Sequence, residues 1–458
     1  MTTLSGLLNI GHSTLAAHQG AIGVVSGNTA NADTVGYARR EVQIRSLVGG
    51  GVGVAAIARR SATFLEQRVL GANARFAAHD AKASGLAAVE NALSDGEAGI
   101  GARLDALFAS MRTLSVDPSD LQLRADVLAR GNAVASGFSS AADTLARERS
   151  SADQAIGLEV ERVNQLTSGI ARANAAVGAA APGSLSRAGH IDERERLVHE
   201  LAGLVEIKTL AGDDESLTVL LQGGPTLVQQ NVAGTLRATP DAALGGLLRV
   251  DLVDPSGAPL DVSTTLRGGS LGGRLELRDE TLADLASALD TLAFDLATAF
   301  NTVHAAGYGT DGATGRDFFA PPATIAGAAQ SIGLAAGLED NPAWLATASD
   351  AASAVGGNAN LLALVDVADA RIALGGTATA GQAIASIIGN VGRETQSARD
   401  MASDASGQLE QTRALYQSQV GVSVDEELID LTRFERAYQA GARIIETVDR
   451  MYEAVLSL

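Results

Sequence analysis

"LSGLLNIGHSTLAAHQGAIGVVSGNTANADTVGYARR", residues 4–40, carries no Asp, Glu, Lys or Arg before Asp33. Apolar residues in its first part follow a seven-residue repeat with alternating steps of four and three, so two rows share one helix face. The residues predicted to pair this helix with another are Leu4, Leu8, Leu15, Ile22 and Val25. Gly11 and His18 interrupt the rows, and we expect the helix to be marginal on its own because glycine weakens a helix interior.

The same stretch ends in small polar residues that predict a helix end followed by a turn. Asn28, Asn31 and Thr34 have side chains that hydrogen-bond to nearby backbone and so end a helix. Gly36 permits a backbone conformation that other residues resist. Tyr37 can anchor the turn against the next part of the chain.

The C-terminal stretch 424–456 predicts a second amphipathic helix, about 50 Å long at the usual rise per residue. Its predicted pairing residues are Leu431, Phe434, Tyr438, Ile445, Val448, Tyr452 and Val455. Ser423 is followed three residues later by Glu426, the spacing of a capping box at a helix start. Because both chain ends carry matching rows, we expect the two terminal helices to pair as a coiled coil.

The interior of the chain predicts further helices around a β insertion. Helices are expected over 65–93, from Asp117-Pro118 toward residue 177, over 282–303 and over 382–418, with Asp117 as cap and Pro118 at the first helical position. Short β-type runs separated by Gly, Pro and Asp fill residues 205–278, among them "SLTVLL", "LLRVDLV" and "GRLELRD".

The predicted fold is mainly α, with long terminal helices paired as a coiled coil, a helical-bundle middle domain and a small inserted antiparallel β domain. Residues 1–60 plus 415–458 form the predicted terminal domain. Residues 61–204 plus 279–414 form the predicted bundle, and residues 205–278 the β domain.

Composition excludes several classes of function. The 458 residues include no cysteine, which removes disulfides, thiolate metal sites and cysteine catalysis. A net charge of −19 disfavours a nucleic-acid partner, whose phosphates need a basic face. We find no apolar run long enough for membrane insertion and no signal peptide before Arg39, so export would need another route.

Short motifs with possible chemistry lack the context that the chemistry needs. "GYGTDG" (307–312) matches a dinucleotide-binding pattern, but a predicted helix precedes it instead of a strand. "GGSLG" (268–272) matches a nucleophile motif, but predicted strand follows it instead of a helix. The six histidines show no metal-binding spacing. We therefore expect no catalytic residues, no metal and no cofactor.

Two terminal motifs resemble those of bacterial flagellar axial proteins. Residues 13–46 contain the pattern N-x-A-N-x-x-T-x-G-Y, formed here by Asn28, Ala30, Asn31, Thr34, Gly36 and Tyr37. The C-terminal match, over 421–458, includes Ser423, Glu426, Glu427, Leu431, Tyr438 and Ala440. Interior stretches at 115–138, 192–210 and 278–319 are similar to the hook-associated protein 1 family in particular.

The resemblance implies a structural protein of the junction between flagellar hook and filament. It implies a homo-oligomer, arranged as a ring or helical layer through its terminal helices, next to the hook protein and hook-associated protein 3. It also implies an extracellular location at the flagellum, reached through the flagellar type III apparatus with the help of an export chaperone.

Two other interpretations of the function remain open at this point. The chain could be another axial protein, such as a hook subunit or a flagellin-like protein, although long helices at 101–177 argue against the first and the Gly36-Tyr37 turn against the second. A remote alternative is an enzyme housed in the β domain, which a pocket with converging ionisable groups would favour.

Overall fold

The structure is a computed structural model that describes residues 3–34, 36–93, 99–212, 215–254, 257 and 259–457. The α-helices are α1 (Leu4–Ala30), α2 (Thr63–Leu93), α3 (Ile100–Leu114), α4 (Leu121–Ala179), α5 (Leu185–Leu204), α6 (Gly269–Glu276), α7 (Leu282–Ala306), α8 (Ala328–Ser331), α9 (Ala359–Asp366), α10 (Ala380–Val420) and α11 (Val424–Leu456). The strands are β1 (Arg40–Ser46), β2 (Val52–Arg59), β3 (Ile207–Ala211), β4 (Leu217–Leu221), β5 (Thr226–Gln229), β6 (Val232–Ala233), β7 (Thr235–Pro240), β8 (Leu248–Val253) and β9 (Pro259–Asp261). The predicted class, mainly α with small antiparallel sheets inserted between helices, is confirmed.

The chain forms two compact units. The terminal unit comprises Met1–Ala78, Gly157–Gly272 and Ala402–Leu458. The central unit comprises His79–Ile156 and Gly273–Met401. This division differs from the three predicted domains, because the strands at 207–261 group with the chain ends and the predicted bundle is divided between both units.

An antiparallel hairpin, β1–β2, follows the N-terminal turn. No strands were predicted here from the sequence. Its strands are at most half-buried, so apolar alternation is weak, and its tip is a run of glycines, Gly49–Gly51, with φ values of 101°, 99° and 86°. Val42 and Ile44 of β1 pack against α1.

The inserted strands form two antiparallel sheets, ordered β3-β4-β5-β6 and β7-β8-β9. Two asparagines of α4 hold them by acting like a neighbouring strand. Asn164 donates from Nδ2 to the carbonyl of Leu236 and accepts from the amide of Leu236, both at 2.8 Å. Asn174 does the same for Leu217 at 2.8 and 3.1 Å. The β insertion is therefore attached to a helix by amide side chains as well as by apolar packing.

Two local predictions were wrong. The "GRLELRD" segment is not a strand: residues 269–276 form α6 and Leu277–Thr281 form a π-helical turn. Leu271 and Leu275, four residues apart, are both buried, which fits a helix face. The long helix does not start at Asp117-Pro118 either; it starts at Leu121, where Asp120 caps by accepting from the amides of residues 122 and 123.

The central unit packs around a cluster of phenylalanines. Phe300 contacts the rings of Phe318 and Phe319 with centroids 5.5 and 5.4 Å apart. Asn301 Oδ1 accepts from the amides of Phe318 and Phe319 at 2.9 Å each. Residues 307–357, predicted to be irregular, are largely so, and buried polar side chains such as Asn301 fix their path.

Candidate assembly site at the chain ends

The terminal helices α1 and α11 pack against each other in opposite directions. A Cβ added at Gly11 would lie 2.6 Å from Ile445 Cγ1, and one at Gly441 would lie 3.4 Å from Leu15 Cδ2. The rings of His18 and Phe434 lie 6.0 Å apart. Contacts that advance along α1 recede along α11, so the pair is antiparallel. Gly11, read from the sequence as a weak point, lies where the helices come closest.

The structure divides the predicted pairing residues of α1 into two groups. Val25 is buried, whereas Leu4, Leu8, Leu15 and Ile22 are half-buried. The buried positions of this helix are Gly11, Ala17, Ala21, Val24, Val25 and Asn28. One buried row therefore runs through Ala21 and Asn28, and its first member lies one residue before the predicted Ile22. Small side chains occupy the centre because the helices approach closely there.

The predicted pairing residues of α11 also differ in burial. Phe434 and Val448 are buried, together with Gly441 and Glu427, and Leu431 and Ile445 are half-buried. Tyr438, Tyr452 and Val455 are exposed. The last turns of α11 extend past the start of α1, so α1 does not cover them.

A set of large apolar side chains on α11 remains exposed. Its members are Val424, Leu428, Ile429, Tyr438, Ile444, Met451, Tyr452, Val455 and Leu456. Ile429 is 69% exposed and Leu456 is 84% exposed. Ile429, Ile444 and Met451 are exposed apolar side chains outside the buried row of Phe434, Gly441 and Val448. We call these three residues the apolar flank.

Asn28 lies in the last turn of α1 and contacts the segment that follows the helix. Its side chain is fully buried and uses all of its hydrogen-bonding capacity. Its Nδ2 donates to the carbonyl of Arg40 and to Glu427 Oε2, both at 2.8 Å. Its Oδ1 accepts from the Tyr37 hydroxyl at 2.8 Å and from the Arg40 amide at 3.1 Å. Tyr37 therefore anchors the turn to Asn28, and burial raises the pKa of its hydroxyl.

Arg39 connects this turn to the start of α11. Its Nε donates to Glu427 Oε1 at 2.7 Å, and its terminal nitrogens contact Glu426 and, at 3.3 Å, Asp430. Burial alone would lower the pKa of Arg39, but the carboxylates of Glu427 and Glu426 outweigh it and the pKa is raised. The Arg39 amide also donates to the carbonyl of Val420 at 2.9 Å.

The remaining turn residues have separate roles. Gly36 has φ = 85°, and a Cβ there would lie 3.4 Å from the Arg196 Cα. This confirms the expected need for glycine, since side chains disfavour positive φ. Asn31 Nδ2 donates to the carbonyl of Gly27 at 2.8 Å, as expected of a residue that ends a helix. Thr34 is exposed and reaches Asn31 Oδ1 at 3.4 Å.

The predicted capping box at the start of α11 does not form. Ser423 takes the N-cap position, but its side chain makes no capping hydrogen bond. Glu426 instead pairs with Arg39. An ion pair with a distant part of the chain has replaced the local hydrogen bond that the spacing favoured.

Elsewhere in the terminal unit, two carboxyl groups meet at a cavity of about 370 Å³. Glu66 of α2 and Glu195 of α5 share a hydrogen bond. Burial and then this hydrogen bond raise the pKa of Glu66 to about 9. For Glu195, burial acts in the opposite direction, but the bond to Glu66 and the charge of Arg194 lower its pKa. One proton is therefore retained between the two groups.

The two short motifs with possible chemistry lie at the ends of helices. Ser270 lies in the first turn of α6, and its hydroxyl is buried with no hydrogen-bond partner among the described residues. Residues 307–312 follow α7 and lead into irregular structure. Within the described ranges, no group of three or more His, Asp or Glu could hold a metal ion, and no helix is long and apolar enough to span a membrane.

Comparison with known proteins gives three family matches. A model of the flagellar hook-associated protein FlgK helical domain matches residues 86–319. Models of the flagellar basal body rod FlgEFG protein C-terminal region and of the flagella basal body rod protein match residues 414–458 and 8–37. The match over 414–458 contains α11, and the match over 8–37 contains most of α1 and the turn after it.

Similar proteins cover the whole chain. Flagellar hook-associated protein 1 of Bacillus subtilis is 27% identical over 100% of this chain and 99% of its own length. Its counterpart in Salmonella typhimurium is 24% identical over 99% of this chain and 100% of its own length. The structure of the flagellar hook junction protein FlgK from Burkholderia pseudomallei has a similar fold, with a TM-score of 0.69 at 16% identity, covering 78% of this chain and all of that one.

Proposed function

The chain belongs to the flagellar hook-associated protein 1 family, whose members are structural proteins and not enzymes, and we propose that it builds the junction between hook and filament. Its copies would associate through the terminal helices, in a ring or helical layer. The chain would then have the hook protein on one side and hook-associated protein 3 on the other. We further propose an extracellular location, reached through the flagellar type III apparatus with an export chaperone.

The observation that carries this proposal is the apolar flank of α11. α1 covers the row through Phe434 and Val448, yet Ile429, Ile444 and Met451 remain exposed on the same helix. Several exposed large apolar side chains on one helix are typical of protein–protein contacts. Each such side chain would contribute about 1.5–3 kcal/mol if a neighbour buried it fully.

The neighbour is best explained as another copy or another axial protein. The other chain end, α1, already occupies one side of α11, so the flank needs a surface from outside the chain. Identical subunits that meet head to tail form rings when the rotation closes and helical layers when it does not. The symmetry of an axial tube supplies such contacts for every copy.

Electron microscopy of flagella tests the proposal. In a strain that lacks this gene, we expect complete hooks without filaments and flagellin lost to the medium. Missing hooks would move the protein to the rod or hook, and normal flagella would contradict a junction role. The wild-type gene supplied in trans should restore filaments.

A variant with Ile429→Glu and Met451→Glu tests the flank itself. We expect it to be exported yet fail to restore filaments, because each change puts a charge where apolar contact is needed. Gln439→Glu, at an exposed position on a different side of α11, is the matched control for added charge. Filaments restored by the double variant as well as by the control would rule out the flank as the contact surface.

A further inference from the structure

Glu427 is a buried carboxylate at the start of α11 whose partners lie in the last turn of α1 and in the segment that follows it. The residue is 1% exposed. Its Oε2 accepts from Asn28 Nδ2 at 2.8 Å and its Oε1 accepts from Arg39 Nε at 2.7 Å. These two partners lie 399 and 388 residues away in sequence. One oxygen of Glu427 is thus bound by the last turn of α1 and the other by the segment that follows α1.

The seven-residue repeat of the buried positions does not by itself fix how α1 and α11 are placed along the helix axis. The buried residues Phe434, Gly441 and Val448 repeat every seven positions. Ala21 and Asn28, the buried positions of one α1 row, are also seven residues apart. Sliding one helix by seven residues therefore brings the same rows together again, apart from the close contact of Gly11 with Ile445.

The carboxylate does not tolerate such a slide. If Gly441 moved from Thr14 to Ala21, Glu427 would pass beyond Asn28 and lose both of its partners. A buried charge without partners is strongly destabilising, whereas the paired charge is accepted. Single buried polar residues specify register in coiled coils for this reason.

The pocket that binds Glu427 depends on the folded turn. Asn28 is oriented by the Tyr37 hydroxyl and by the Arg40 amide. Arg39 is held through its amide by the carbonyl of Val420. The binding groups are therefore in place only once residues 36–40 have taken their positions after α1.

We infer that Glu427 is a positioning residue that sets the register of α11 on α1, through recognition of its carboxylate by Asn28 and Arg39. The consequence for assembly rests on the proposed function: a fixed register determines which apolar side chains of α11 face a neighbouring subunit. The register itself concerns a single chain and is tested without flagella.

Cysteine cross-linking of the purified full chain tests this inference, because the chain has no cysteine of its own. A Cβ at Gly441 would lie 3.3 Å from Thr14 Cγ2, so Thr14→Cys with Gly441→Cys reports the observed register. Ala21→Cys with Gly441→Cys reports a slide of seven residues. With Glu427 present, we expect the first pair to form a disulfide under mild oxidation and the second pair to remain reduced.

Glu427→Leu should reverse part of this preference. We expect the first pair to cross-link several-fold more slowly and the second pair to become detectable, while circular dichroism shows the helices retained. Glu435→Gln, which changes an exposed carboxylate of α11 away from Asn28 and Arg39, is the matched control and should leave both pairs unchanged. If Glu427→Leu loses helix, Glu427→Gln is judged by the same two pairs.

Three outcomes would overturn the inference. One is unchanged cross-linking in the folded Glu427 variant, and another is the absence of the first cross-link when Glu427 is present. The third is loss of the first cross-link without the second, which would mean that Glu427 holds the helices together without selecting their register. Filament formation does not enter these measurements, so the inference can fail while the junction role stands, and the reverse.

Discussion

Replacing Glu66 by glutamine should change how the stability of the chain depends on pH. Burial and the hydrogen bond with Glu195 raise the pKa of Glu66 from 4.5 to about 9. Below the unfolded-state pKa both states hold the proton, and the stabilisation is fully present. As pH rises toward the folded pKa, the unfolded chain loses the proton first, and the stabilisation declines.

The expected size follows from that shift. Each pH unit between the two pKa values removes about 1.4 kcal/mol from the free energy of unfolding when one proton is involved. Between about pH 6 and about pH 8, Glu66 would therefore account for a loss of about 1–3 kcal/mol. The side-chain amide introduced by Glu66→Gln would donate a similar hydrogen bond to Glu195 without titrating, so the variant should not show this loss.

Urea unfolding of the full chain, followed by circular dichroism across this pH range, provides the measurement. The quantity of interest is the difference in unfolding free energy between Glu66→Gln and the unchanged chain, because other titrating groups cancel in it. Glu161→Gln, at an exposed position of α4, is the control. A difference that stays constant with pH would refute the retained proton.

Three further predictions concern single side chains. Gly36→Val should impair filament restoration more than helix content by circular dichroism, because φ is 85° there and a Cβ would approach the Arg196 backbone; an unfolded variant would contradict this. Burial lowers the pKa of His304, so its contribution to stability should be lost as pH falls below the unfolded-state pKa of 6.5. The melting temperature of His304→Gln should therefore depend less on pH in that range than the melting temperature of the unchanged chain. Arg124 is fully buried and donates to the carbonyl of Leu345 at 2.7 Å, so Arg124→Met should lower the free energy of unfolding by about 2–4 kcal/mol, and an unchanged melting temperature would refute this.

The sequence predicted the features that depend on local patterns. The positions of the terminal helices, the helix end at Asn31 and the need for glycine at position 36 all follow from spacing or from residue type. The prediction of the buried residues on α1 was less accurate. Hydrophobicity favours Ile22 over Ala21, whereas the close approach of the helices favours the smaller residue. The β1–β2 hairpin was missed because a half-exposed ribbon has little apolar alternation.

The features that the sequence did not predict depend on partners far away in the chain. The spacing of Ser423 and Glu426 favoured a capping box, but Arg39 binds Glu426 instead. Glu427 matched the family pattern, yet nothing local indicated that it would be buried between Asn28 and Arg39. Such contacts become visible only in the folded structure, because local sequence patterns do not indicate which distant side chains meet.

The chain ends make two kinds of interaction, a polar network within the chain and an exposed apolar surface toward neighbours. Within the chain, the polar groups of Asn28, Arg39 and Glu427 satisfy one another in a buried network with little left to offer a neighbour. Toward the outside, α11 presents the apolar flank and its uncovered last turns. Directional hydrogen bonds tolerate only one arrangement, whereas apolar contacts tolerate small changes of angle and distance. We therefore expect the buried network to keep each terminal pair rigid while the flank adapts to neighbours that differ between hook and filament.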